Sequence, residues 1–379
     1  MRYRLTCLTP TLIGDGQKLS PIDYMVWKDH VNVLDQRRIF KLLSKGPRLD
    51  GYLSQLKRAD KLDFASWGGF AQNFAGRRIP FEHPSLTQHW ERARTESLHI
   101  PTFVSAFGGP YVPGTAVKGA LRTGLAFSRW TADTVRDVGT RMQGDRPPRR
   151  PAEQAEEATL GARMKALVAG DSTPVPASSM KVYLLRVATL ESRNAGKVEL
   201  AWKQAPRGAV DGRRPDEATP LFAEMASPGT VFEGAWQERA FFAQPEILRA
   251  MRWKEPVGRG QVFGACNQYA ARLLAIEKHY AGETGLALLR QGVEKLEARL
   301  SEIAGSGSGC LLSIGWGGGL LGKSAYLDTQ DETYRQILRQ VPFYARAIRS
   351  GLPFPKTRRI VFLANQPATL PGWVLLEVE

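Results

Sequence analysis

The sequence predicts an α+β fold in two units, and three observations carry that prediction. The chain has 379 residues, room for two domains of ordinary size. Period-two alternation of apolar and polar residues marks half-buried strands at both ends. Between them, strand-like and helix-like segments come in runs. The regular βα alternation of a doubly wound parallel sheet is missing.

The elements follow in order. Residues 2–8 alternate, with Tyr3, Leu5 and Cys7 on one face and Arg2, Arg4 and Thr6 on the other. A loop over 9–19 is punctuated by Gly14-Asp15-Gly16. Residues 22–27 and 30–34 read as short strands. Asp35 then caps a helix with Ile39, Leu42 and Leu43 on its apolar face. Residues 66–76 are rich in glycine and aromatics and show no period. The clearest strand–turn–helix spans 108–130. Residues 136–151, with GDRPPRRP at the centre, read as an exposed, mobile loop. A short helix is expected over 153–168, strands over 181–190, 197–202 and 230–237, and helices over 245–279 and 284–303. The glycine-rich run 305–324 leads to a helix over 333–348 and two terminal strands, 359–363 and 373–378. The expected division is therefore 1–135, a connector at 136–176, and 177–379.

Composition narrows the function. Lys plus Arg is 52 against 37 Asp plus Glu, a net charge of +15. Such an excess costs self-repulsion that a polyanion offsets, and nucleic acid is the leading candidate. No apolar run approaches the roughly 18–20 residues of a spanning helix, and no basic segment faces a broad apolar stripe as a membrane-surface helix requires. The N-terminal residues lack a signal-peptide pattern. Three scattered cysteines speak against a disulfide framework and for a reducing cytoplasm.

Three segments carry candidate chemistry. In YVPGTAVKGALRTGLAF (111–127), Pro113-Gly114 makes a turn and Thr115 is the expected N-cap. Val117, Leu121 and Leu125 form a buried stripe, with Lys118, Arg122 and Arg129 in a basic stripe beside it. A helix N-terminus offers free N–H groups and a positive dipole end to a phosphate. Gly119 and Gly124 each cost about 1 kcal/mol of helix propensity relative to Ala, which implies a close approach to that backbone. The alternative is an ordinary solvated face.

The second segment, Gly317 to Ser324, satisfies the G-x-x-x-x-G-K-S spacing of a nucleotide-binding loop. Its context argues against that chemistry. Such a loop follows the first strand of a parallel sheet, whereas this one lies near the C-terminal end. The apolar run 360–363 ends in Ala-Asn rather than in a magnesium-binding Asp. Gly317, Gly318, Gly319, Gly322 and Lys323 are read instead as backbone-mediated phosphate contacts. The third segment, PKTRRI (355–360), gathers Lys356, Arg358 and Arg359 at the start of a strand. The five histidines have no metal-ligand spacing. Asp15 and Asp23 sit in or beside the early loop, where most aspartates form turns and some act as a base or metal ligand.

Together LTPTLIGDGQKLSPIDYMV (8–26), the 111–127 helix, GWGGGLLGKS and FPKTRRI resemble the RAMP proteins of type III CRISPR effector complexes. The resemblance is strongest to the Csm-type (III-A) family of the fifth Csm subunit, which caps the backbone at the crRNA 3′ end. It covers both ends and the middle of the chain. It implies two ferredoxin-like, RRM-related units, no NTPase activity and no cofactor. The implied role is a non-catalytic cap that binds crRNA, supports its maturation for antiviral defence and docks on the adjacent backbone RAMP subunit in the cytoplasm. Target RNA is a further partner. The alternatives are a type III-B or III-D subunit, or a metal-dependent RAMP endoribonuclease. Related backbone subunits cut RNA with a loop aspartate, and Asp23 falls near the matching place.

Overall fold

The computed structural model describes residues 1–44, 46, 48–58, 61–62, 74–143, 150–192, 198–204 and 211–379. The glycine-aromatic stretch lies outside these except for its last three residues, and so does the centre of the 136–151 run. The first elements are β1 (Arg2–Cys7), β2 (Lys18–Leu19), β3 (Tyr24–Trp27), β4 (His30–Leu34), α1 (Gln36–Leu43), α2 (Arg48–Arg58), β5 (Ala75–Pro80) and α3 (Leu86–Arg92). Then come β6 (Ile100–Pro101), β7 (Ser105–Ala106), β8 (Gly109–Pro110), α4 (Gly114–Phe127), α5 (Ala132–Gln143), α6 (Pro151–Leu160), β9 (Leu167–Ser172), β10 (Met180–Ser192), β11 (Val198–Trp202), β12 (Leu221–Ala226) and β13 (Val231–Glu238). The rest is α7 (Pro245–Ala250), α8 (Arg259–Glu283), α9 (Ala287–Ser306), β14 (Gly309–Ser313), α10 (Glu332–Gln340), α11 (Pro342–Arg349), β15 (Thr357–Leu363), β16 (Gln366–Thr369) and β17 (Trp373–Val378).

Tyr3, Leu5 and Cys7 are buried, as their alternation requires, and β1 is the central strand of a five-stranded sheet in the order β14-β17-β1-β13-β9. Every neighbouring pair is antiparallel. With α4 between β1 and β9, and α8 between β13 and β17, four of these strands have the ferredoxin-like βαββαβ order; β14 extends it. The stripe of Val117, Leu121 and Leu125 packs with Val262, Phe263 and Cys266 of α8 in the core on β1. A Cβ on Gly124 would stand 2.5 Å from the Cys266 sulfur, so this glycine lets α4 and α8 cross.

The thirteen-residue β10 is the spine of a second antiparallel sheet. One edge pairs with β15, which is followed by β16; the other pairs with β12 and then β11. A smaller sheet, β3-β4-β5, is tied to β12 by the ion pair of Arg77 with the buried Glu224, at 2.6 and 3.1 Å. The α+β class is thus the observed one.

The expected boundaries differ from the strand pairing. β1 of the first unit, β9 of the connector and β13, β14 and β17 of the last unit share one sheet. The apolar face of β1 is completed by strands that arrive late in the chain. Nor are the described parts of the connector an exposed loop. Val138 and Gly139 of α5 are buried, and Gly139 faces Ile337 of α10. The expected 153–168 helix stops at Leu160, because Gly161 turns to a φ of +52° and β9 begins at Leu167. Two single helices are each two. Pro256 and Gly258 separate α7 from α8, and Pro342 opens α11 because its ring cannot continue α10. Among the described residues no helix is long and apolar enough to cross a membrane.

Candidate nucleic-acid interface

The α4 helix does not start as the sequence suggests. Pro113 is the N-cap residue, Thr115 lies exposed in the first turn, and the Gly114 N–H donates to Asp171 Oδ1 at 2.8 Å. A carboxylate of the protein therefore already occupies the helix start, and the phosphate cradle expected there is partly filled. The basic stripe divides as well. Arg122 Nε lies 2.5 Å from Glu156 Oε1 of α6, so its charge is neutralised within the fold. Lys118 is half-buried, and burial together with Arg239 lowers its pKa. Burial and the nearby Arg129 do the same for Arg163, which lies over the Trp253 ring at 5.1 Å. Arg129 Nε is buried without a hydrogen-bond partner. Among the described residues none of Lys118, Arg129, Arg163 and Arg239 has a carboxylate within ion-pair reach. Gly119 is exposed, and a Cβ there would meet nothing within 4 Å, so the backbone beside Lys118 is open. Arg163 and Arg239 escaped the sequence reading because they reach this face from distant parts of the chain.

The early loop links this helix to the glycine-rich run. Leu12 C=O accepts from Trp316 N–H at 2.8 Å, and Ile13 C=O from Val104 N–H at 2.9 Å. Val104 C=O accepts from Tyr111, Pro110 C=O from Val175, and Val112 C=O from Ser172. Segments more than 200 residues apart in sequence thus form one hydrogen-bonded belt at this end of the sheet. Phe107, at the tip of the β7–β8 hairpin on that belt, is fully exposed.

Three of the four candidate glycines, Gly317, Gly318 and Gly322, serve packing. Gly317 has a φ of +111°, and a Cβ there would lie 2.4 Å from Pro371. Gly318 and Gly322 fit against Ser313 Oγ. Of Gly317, Gly318, Gly319 and Gly322, only Gly319 is exposed with nothing described near its Cβ position. Lys323 ends a short 3-10 turn, and Ser324 Oγ donates to Tyr326 C=O at 2.7 Å. No α-helix follows directly, and β14 is antiparallel to β17. The strand–loop–helix geometry of a nucleotide-binding loop is not built here.

The glycine-rich run and PKTRRI meet across a cleft of 1220 Å³, lined also by α11. The stripe of α4 does not line it. Arg359 lies over the Trp316 ring at 5.0 Å, with its Nε buried and unpartnered. Lys356 is half-buried; burial, then Lys203 beside it, lower its pKa. Arg358 is a correction. It is buried, and its Nε donates to Glu277 Oε2 at 2.6 Å, its Nη1 to the Pro355 and Thr357 carbonyls. Strand period puts Arg358 on the face of Ile360 and Phe362, both core residues, and that signal was available in the sequence.

Asp23 closes a turn. The Ser20 N–H and Oγ–H donate to its Oδ2 at 2.7 and 2.6 Å. Among the described residues no group of three or more His, Cys, Asp or Glu is placed to hold a metal ion.

Comparison with known proteins agrees with this architecture. A chain in the cryo-EM structure of a Csm–crRNA–target RNA ternary complex of a type III-A CRISPR-Cas system is 21% identical, covers 100% of both chains and has a TM-score of 0.65. The crystal structure of T. onnurineus Csm5 is 19% identical, covers 98% of this chain and 99% of that one, and has a TM-score of 0.61. Among curated proteins, the "CRISPR system Cms protein Csm5" of Methanocaldococcus jannaschii is 22% identical over 142 residues, 34% of this chain and 31% of the relative. This chain thus matches about a third of that relative's length. The RAMP superfamily model matches residues 4–201, more than half of the sequence, and the chain belongs to that superfamily.

Proposed function

We propose that this chain is an RNA-binding subunit of a type III-A CRISPR effector complex. In this reading it caps the complex at the 3′ end of the crRNA and docks on the adjacent backbone subunit. The observation that carries the proposal is the set of cations with no carboxylate in reach among the described residues, Lys118, Arg129, Arg163 and Arg239, beside the open helix backbone at Gly119. Cations without carboxylates favour phosphate, and phosphate contacts hold any spacer sequence alike. The full-length likeness to a chain of a Csm–crRNA–target RNA complex supports the same reading. The role is structural rather than catalytic, since Asp23 is engaged as a turn former.

Crosslinking tests the cap. A crRNA with a photoreactive nucleotide at either end is assembled with the full set of subunits. The 3′-end probe is expected to label this chain and the 5′-end probe to label another. Labelling from the 5′ end alone overturns the cap assignment and leaves RNA binding standing.

A further inference from the structure

We propose that the cleft between the glycine-rich run and α11 holds a stretch of single-stranded RNA, one base stacked on Phe343 and the flanking phosphates on Arg346, Lys356 and Arg359. The proposal rests on the RNA-binding reading above and adds a second, base-contacting site to it.

Size is the first argument. At 1220 Å³ the cleft exceeds the roughly 300–1,000 Å³ of ordinary small-molecule pockets, so it suits a segment of polymer. Charge is the second. Glu277 is engaged by Arg358, and Asp211 by Lys203. Among the described lining residues, Lys323, Arg346, Lys356 and Arg359 then face one remaining carboxylate, Glu191. Burial, then Lys203 and, more weakly, Arg346 disfavour the charge of the half-buried Lys356; Asp211 and Glu191 offset only part of this, and a further anion would relieve the rest. The Arg359 guanidinium lines the cleft over Trp316 with no carboxylate in ion-pair reach among the described residues, which leaves its charge for a phosphate.

The third argument is Phe343. It is 84% exposed on the rim of this cation-lined cleft. Tyr344 meets it edge-on, with centroids 5.1 Å apart at 81°. A lone exposed phenylalanine is ordinary. One standing over a basic cleft is the platform-and-groove combination that binds single strands without sequence preference. Tolerance of any base suits a subunit whose RNA varies in sequence.

The test uses the full chain and a single-stranded oligoribonucleotide carrying one 2-aminopurine, whose fluorescence is quenched on stacking. Phe343→Ala is expected to weaken binding about 5- to 100-fold and to remove the quench. Phe343→Tyr keeps a ring and is expected to match the wild type in both. Lys118→Ala weakens binding but keeps the quench at saturation. Wild-type binding with unchanged affinity and quench in Phe343→Ala overturns the cleft site alone. Loss of complex assembly in that variant, with RNA affinity unchanged, also overturns it and gives the cleft to a protein partner. A wild-type chain that binds no oligoribonucleotide removes the RNA-binding reading and this site with it.

Discussion

The α4 face and the β15 edge carry the same kind of sequence signal, a short run of Lys and Arg, and the fold uses them differently. On β15, Arg358 turns inward to the buried Glu277, while its neighbour Arg359 faces the cleft over Trp316. On α4, Arg122 is tied at the surface to Glu156, while Lys118 has the cation Arg239 beside it and, among the described residues, no carboxylate in ion-pair reach. The difference teaches that residue type does not decide a cation's role. What decides it is whether the fold brings a carboxylate within reach. The paired member of each set holds protein to protein, and the other is the one proposed above to meet an outside anion.

The largest effect that sharpens this contrast belongs to the buried pair. Arg358→Ala leaves Glu277 buried without its partner, and breaking a pair of this kind costs about 3–5 kcal/mol. Urea unfolding is expected to show a lower midpoint with an unchanged slope, and RNA affinity of the folded fraction should change little. Lys118→Ala is the opposite case. It should leave the melting temperature within a degree or two of wild type, roughly the size of an ordinary surface change. It should weaken RNA binding on the order of 1 kcal/mol, since the group is only partly buried.

Gly119→Ala separates stability from binding at one position. Among the described residues no atom beyond the helix's own backbone lies within 4 Å of the new methyl group, so the helix should gain about 0.5–1 kcal/mol. If RNA passes close to that backbone, affinity should fall in the same protein. Calorimetric melting beside a filter-binding titration reads both, and a gain in both would break the argument that this face is kept open. Arg122→Ala is the smallest. A partly exposed pair contributes about 0–1 kcal/mol, and RNA affinity should stay within about twofold.

Much of the fold was legible because local period fixes strands. Tyr3, Leu5 and Cys7 alternate, and the structure buries all three. β9 was hidden because its sequence, LVAGDS, is short and polar at one end, and pairing with β13 supplies what its period lacks. The site was legible only where one segment carries it. Lys118 and Gly119 announced an approachable helix; Gly124 made the same local signal, but its neighbour is α8, a tertiary fact. Arg163 and Arg239 reach the face of α4 from α6's far end and from just beyond β13, and no spacing rule joins them. Phe343 reads locally as an ordinary apolar helix position and becomes notable only with the cleft beside it.

The most direct test of the central claim is the salt dependence of RNA binding in wild type and in the Lys118→Ala/Arg239→Ala double variant. Each phosphate neutralised on a single strand adds about 0.7 to the fall of log K with log salt. The account predicts a steep linear fall for the wild type and a slope smaller by about 1.4 for the double variant, with unchanged thermal stability. Equal slopes in the two proteins would contradict it, because Lys118 and Arg239 would then neutralise no phosphate.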